Sequence, residues 1–153
     1  MFIRATGIRF LEGVVLEMTF QDGKRIRYDM SKMFSKYPQL KELQTNRGLF
    51  ESGYIDAGGY GVIWNDDLDF DAMSIYEDGE VVGQVETTIN QQIGFLLTKT
   101  REEADITQVE LSKRSRIDQG DISKIEKGLG NPTIAKINKL FKALGKSIAL
   151  ICL

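Results

Sequence analysis

From Ile106 to Gly145 the chain carries one uninterrupted pattern: Ile106, Thr107, Gln108, Glu110 and Leu111, then Ile122, Ser123, Ile125, Glu126 and Gly128, then Asn131 and Pro132, ending on Ala143, Leu144 and Gly145. This spacing predicts two short helices joined by a tight turn and followed by a third. Thr107 with Glu110 three residues later has the form of a capping box, so a helix starts there and runs towards Ser115. Leu111 faces inward on it, and Ile117 is an apolar plug in the turn. Asp118 can cap the next helix, whose Ile122 and Ile125 lie on one buried side. The other side presents Gln119, Gly120, Asp121, Ser123, Lys124 and Lys127. These are short polar and basic groups rather than a solvating run of charge, which leaves this side for a ligand.

These residues resemble the Cro/CI-type helix-turn-helix family, also called XRE or lambda-repressor-like. The resemblance covers roughly Ile89 to Ile148, with no gap from Thr107 to Gly145. It implies an all-α domain, double-stranded DNA as the ligand and a role in transcription regulation. By the same resemblance, Gln119, Gly120, Asp121 and Lys124 are the base-reading positions of a recognition helix over about Gln119 to Lys127, docked in the major groove. A glutamine amide there pairs in bidentate fashion with adenine, and Lys124 reaches guanine or a phosphate. Thr107, Gln108, Ser123, Lys127, Asn131 and Lys136 are the phosphate-binding positions, with Gln108 also steadying the Gln119 side chain. Arg101 and Glu126 match a buried salt bridge of structural importance. The chain departs from the pattern in three places. Arg116 stands at the turn position where glycine is most frequent, at a cost of about a kcal/mol or more for a left-handed backbone. Gly120 offers no side chain to read with. Asp121 brings a carboxylate near the phosphates unless it accepts from cytosine or caps its own helix.

Charge supports a division of labour. Residues 88–153 hold 11 Lys and Arg against 7 Asp and Glu, a net of +4, whereas residues 1–87 hold 9 against 15, a net of −6. Only the second half suits a polyanion. A chain of 153 residues with 42% hydrophobic content can bury one moderate core or two small ones, and this asymmetry favours two. The domains are therefore placed at 1–82 and 83–153.

Catalytic chemistry finds few tools. With no histidine, Ser-His and Cys-His nucleophilic systems and imidazole acid-base chemistry are excluded, as are almost all zinc sites with nitrogen ligands. The single cysteine, Cys152, cannot form an internal disulfide, and its apolar surroundings predict a buried small hydrophobe. No cofactor, metal or enzymatic activity is expected. No signal-peptide-like or membrane-spanning apolar run is present, which predicts a cytoplasmic protein without a membrane partner.

The first half reads as an α+β domain, an antiparallel sheet with short helices. Phe2 to Ile8 and Val14 to Phe20 are strand-like, and a turn at Gln21 to Lys24 leads into a third strand, Arg25 to Tyr28. Helical spacing runs from Met30 to Tyr37 and stops before Pro38, with a further turn or short helix over Gln39 to Gln44. A strand pair, Tyr54 to Asp56 and Tyr60 to Trp64, precedes an acidic stretch from Asn65 to Asp71. Asp67, Asp69 and Asp71 alternate as the first ligands of a calcium loop would. Ala72, however, replaces the glycine such a loop needs, and Asp78 stands where a bidentate glutamate belongs. The stretch is therefore read as a solvated turn, with Asp71 capping a short helix through Tyr76. Residues Asp22, Gly23, Asp29, Met30, Trp64, Asp66, Asp69, Tyr76 and Glu77 resemble a small bacterial family of unknown function, whose members are often fused to a following Cro/CI-type module. That resemblance implies no chemistry. It does admit a toxin-like protein partner and an antitoxin reading, in which the helical half is mainly scaffold.

Glu77 to Thr88 reads as a linker or a short docking strand. The first helix of the second domain follows, from about Ile89 to Ala104, with Ile93, Leu96 and Leu97 on its inward side. The tail, Ser147 to Leu153, is apolar and β-prone and predicts a strand. Such a strand either pairs across a two-fold axis, as in some Cro/CI-type antitoxins, or joins the sheet of its own chain. A homodimer is expected in either case, since family operators tend to be palindromic, with half-sites about 34 Å apart.

Overall fold

A computed structural model describes residues 3–152, which fall into two compact units divided between Glu86 and Thr87. The division lies beyond residue 82 for a physical reason: the segment read as linker or strand forms a strand, β7 (Glu80–Gln84), that completes the N-terminal sheet.

In the N-terminal unit, β1 (Ala5–Phe10), β2 (Val15–Phe20) and β3 (Lys24–Asp29) form an antiparallel meander, and β7 pairs antiparallel with β3 to give the order β1-β2-β3-β7. Alternation sets the sheet's two faces. Leu16, Met18 and Phe20 on β2, with Ile26 and Tyr28 on β3, are almost fully buried. The β2–β3 hairpin turns at Gly23, whose φ of 88° is the left-handed conformation that glycine adopts without a Cβ penalty. Met30 to Tyr37 forms a short 3-10 helix over Met30–Met33, capped by Asp29 at Ser31 N, rather than a longer helix; beyond it the chain closes only single turns, Phe34 N on Ser31 O and Tyr37 N on Met33 O. After a second 3-10 turn, Pro38–Lys41, come α1 (Glu42–Thr45) and α2 (Arg47–Glu51).

The second sheet corrects the reading of the acidic stretch. β4 (Tyr54–Ile55), β5 (Gly61–Asn65) and β6 (Leu68–Asp71) are antiparallel in that order. Only residues 66 and 67 turn, where Asn65 accepts from Asp67 N at 3.0 Å. Leu68 and Phe70 point inward and are buried, while Asp69 and Asp71 point out. The period of two in Leu-Asp-Phe-Asp was the available signal, masked by the charges between the apolar residues. Asp71 does cap α3 (Ala72–Asp78), accepting from Ser74 N at 2.8 Å. Trp64 is pinned by its indole N–H, which donates to Phe50 O at 2.9 Å.

The C-terminal unit comprises α4 (Ile89–Glu103), α5 (Gln108–Ser115), α6 (Gln119–Glu126) and α7 (Ile134–Ala143). Its core is Leu97, Ile106, Leu111, Ile117, Ile122, Ile125, Ile137, Leu140, Phe141 and Leu144. α4 opens with a complete capping box, Thr88 with Gln91, a signal not read from the sequence. Leu96 is exposed rather than inward. The buried stripe of α4 runs through Gly94, Leu97, Thr98 and Arg101, and Leu96 lies off it. A Cβ on Gly94 would come within 2.4 Å of Ile125 O, so glycine permits the close crossing of α4 and α6.

The tail differs from expectation. Residues 147–152 form no strand, and Leu153 lies outside the described residues. α7 ends where Gly145, at φ 70°, turns the chain, with Lys146 N donating to Phe141 O at 2.9 Å. Ile148 packs against the helical core, while Leu150, Ile151 and Cys152 are exposed. Neither sheet counts the tail among its strands. Cys152 is accordingly not a buried hydrophobe.

Candidate nucleic-acid interface

The candidate surface is built on α5, α6 and the turn between them. Thr107 starts α5 by accepting from Glu110 N at 3.1 Å. The Glu110 carboxylate does not return to the cap as a full capping box requires, but pairs with Arg114 one turn along. Arg116 ends α5 in the left-handed region at φ 57°, the conformation for which glycine is the frequent residue. Ile117 is buried behind it. Asp118 then caps α6 by accepting from Gly120 N at 2.8 Å. A Cβ on Gly120 would sit 2.9 Å from that capping oxygen, so the residue that cannot read a base lets the cap close.

A chain of hydrogen bonds runs from the core to this surface. Glu126 is fully buried and receives Arg101 Nε at 2.6 Å and Nη2 at 2.9 Å, a bidentate pair that neutralises a carboxylate removed from water. Arg101 Nη1 also donates to Ile106 O at 2.9 Å, fixing the entry to α5. The second Glu126 oxygen also accepts from Gln108 Nε2 at 2.8 Å. Gln108 Oε1 in turn accepts from Gln119 Nε2 at 2.8 Å. The Gln119 amide is thus exposed yet oriented, leaving its carbonyl oxygen and one N–H directed away from Gln108.

The remaining expected positions separate into two groups. Lys124, Lys127 and Asn131 are exposed, Ser123 is half-buried, and Thr107 keeps its hydroxyl hydrogen because its oxygen serves the cap as acceptor. Lys136 is placed differently: its ammonium donates to Asp121 Oδ2 at 2.8 Å. That hydrogen bond, with the attraction of the ammonium charge, holds the Asp121 carboxyl below its ordinary value. Asp121 therefore neither caps its helix nor stands as an isolated anion, and Lys136 is engaged by it. α6 closes at Gly128, φ 70°, with Leu129 N donating to Lys124 O at 3.0 Å.

Among the described residues, no helix is long and apolar enough to cross a membrane. No curated protein matches the chain. Among solved structures it is similar to a tyrosine-to-phenylalanine mutant of the restriction-modification controller protein C.Esp1396I, at 32% identity over 41% of this chain and 80% of that one, with a TM-score of 0.39. It is also similar to a candidate DNA-binding protein, NE0471 from Nitrosomonas europaea ATCC 19718, at 14% identity over 92% of this chain and 85% of that one, with a TM-score of 0.43. Residues 5–80 match the family described as a protein of unknown function (DUF2442), and residues 97–151 match the helix-turn-helix family. The chain thus joins an N-terminal DUF2442 domain to a C-terminal helix-turn-helix domain.

Proposed function

We propose that this protein is a sequence-specific regulator that places α6 in the major groove of double-stranded DNA. The observation that carries the reading is the Arg101–Glu126–Gln108–Gln119 chain, which supports an exposed amide at the N-terminal end of a two-helix reading motif. Such an amide matches the acceptor and donor of an adenine edge, and preorganisation lowers the entropy lost on binding. Lys124 serves as the second base-reading residue. Thr107, Gln108, Ser123, Lys127 and Asn131 contact the backbone, and Gln108 retains one amide hydrogen for a phosphate. Asp121 and Lys136 act together as a neutral pair beside the groove rather than as reader and anchor.

Two copies are proposed to bind one palindromic site. The exposed Ile134 and Leu150, which line one shallow apolar depression with Ile148 on the same unit as α6, are the surface that a second copy would cover.

Selection of bound fragments from random duplexes, followed by titration of the selected site, tests the reading. Gln119→Ala should weaken binding to the selected site by about 1–3 kcal/mol and relax preference at one base position. Lys127→Ala should weaken all duplexes alike and make the salt slope shallower by about one unit. A selection that returns no motif would remove the specific reading, and an affinity indifferent to salt would remove DNA as the ligand altogether.

A further inference from the structure

The meander sheet has a second face. With Leu16, Met18 and Phe20 turned to the core, Val15, Glu17 and Thr19 of β2 are turned the other way. Arg9, Glu17 and Arg27 stand opposite one another across β1, β2 and β3. The next row along is Gly7, Thr19, Arg25 and Gly83. Glu17 is only 6% exposed, and three guanidinium groups surround it: Arg27 at 3.1 Å, Arg9 at 3.5 Å and Arg25 at 3.8 Å.

One cation suffices to neutralise a buried carboxylate, and three leave a local surplus of about two positive charges. That surplus lies within a half of the chain whose net charge is −6. Glu80, opposite Arg27 at the sheet edge, forms no ion pair with it among the described residues, and Asp29 is occupied in capping Ser31 N. The side chains of Arg9, Arg25 and Arg27 are 69%, 40% and 46% exposed, so their outer N–H groups face solvent. A Cβ at Gly83 would lie 2.7 Å from Arg25 Nη2, so this guanidinium rests directly on the Gly83 backbone, with its Nε buried and without a hydrogen-bond partner among the described residues.

We propose that this face is a docking site for an extended acidic segment of a protein partner, whose alternate carboxylates pair with Arg25 and Arg27 while Arg9 takes a third. Alternate residues of a strand lie about 6.8 Å apart, which is both the spacing of Arg25 and Arg27 on β3 and the spacing of same-side groups on an extended peptide. Planar guanidinium forks select carboxylates by bidentate geometry as well as by charge. No aromatic side chain lies in these rows, so the face has no platform on which bases stack. The inference concerns the N-terminal unit and stands whether or not α6 reads DNA.

The test is fluorescence anisotropy at low ionic strength, using the full chain and a labelled ten-residue peptide of alternating Glu and Thr, roughly the length of a long strand. A Gln–Thr peptide of equal length and a labelled random duplex are measured in parallel. The Glu–Thr peptide should bind, the Gln–Thr peptide should not, and the double substitution Arg25→Ser with Arg27→Ser should weaken binding about tenfold or more. Arg25→Lys with Arg27→Lys keeps Glu17 covered by cations and so preserves the sheet, while still lowering affinity through loss of the forks. The proposal is overturned if the two peptides bind equally or if the lysine variant matches the parent. It is overturned equally if the Glu–Thr peptide fails to bind; a serine variant that then loses duplex affinity would make nucleic acid the occupant.

Discussion

Arg101 shows how much one side chain fixes in a small helical unit. It spans α4, the start of α5 and the end of α6 through Glu126 and Ile106 O. Removing it leaves a fully buried carboxylate without its guanidinium. Arg101→Met should therefore cost about 3–5 kcal/mol in urea unfolding of the helical unit, far more than loss of an exposed pair such as Arg47 with Glu51. A loss below about 1 kcal/mol would show that Glu126 is not held by this arginine. The Arg101–Glu126 pairing and the Gln108 contact to Gln119 were both expected from resemblance, residue by residue. The engagement of Lys136 by Asp121 was not, because the two are 15 residues apart and meet only once α7 has packed against α5 in the helical core.

At the scale of elements, the turn between α5 and α6 carries a measurable strain. Arg116 holds φ 57°, where its Cβ crowds the backbone and glycine has no such penalty. Arg116→Gly should raise stability by about 0.5–1 kcal/mol, the relief of strain exceeding the entropy glycine adds to the unfolded chain. A lowered melting temperature would mean that the arginine side chain has a stabilising role outweighing its backbone cost. The helices and their starts were legible because caps and apolar spacing act within one or two turns. The Thr88 box went unread although its signal is of the same kind. β6 was missed for a different reason: Asp69 and Asp71 look like turn residues until β5 supplies an edge and Leu68 and Phe70 a core. Leu96 and the end of the tail failed in the opposite direction, as apolar residues that stay exposed.

For the whole molecule, the two units differ in how they meet alkali. In the N-terminal unit, a hydrogen bond from Lys24 to Tyr76 raises the Lys24 ammonium above its ordinary 10.5, and burial raises the Tyr76 and Tyr28 phenols above 10.0. A group whose folded value is raised contributes stability that is intact below its unfolded value and is lost as pH rises through the folded one. The N-terminal unit should therefore begin to lose stability above about pH 10. All of the tyrosines and Trp64 lie in that unit, so tyrosinate absorbance and indole fluorescence report it alone. The helical circular dichroism of the second unit should outlast both signals. Simultaneous loss of all three would contradict separate responses.

By itself, the sequence determined that there are two units of opposite charge and where most of the helices begin. Those properties depend on neighbours within a few residues or on simple sums of charge. Only the tertiary structure decided that Asp121 is answered by Lys136, that β7 belongs to the first sheet, and that three arginines converge on Glu17. Each of these depends on residues distant in the chain being brought within a few ångströms, and burial of the cores supplies the free energy for that.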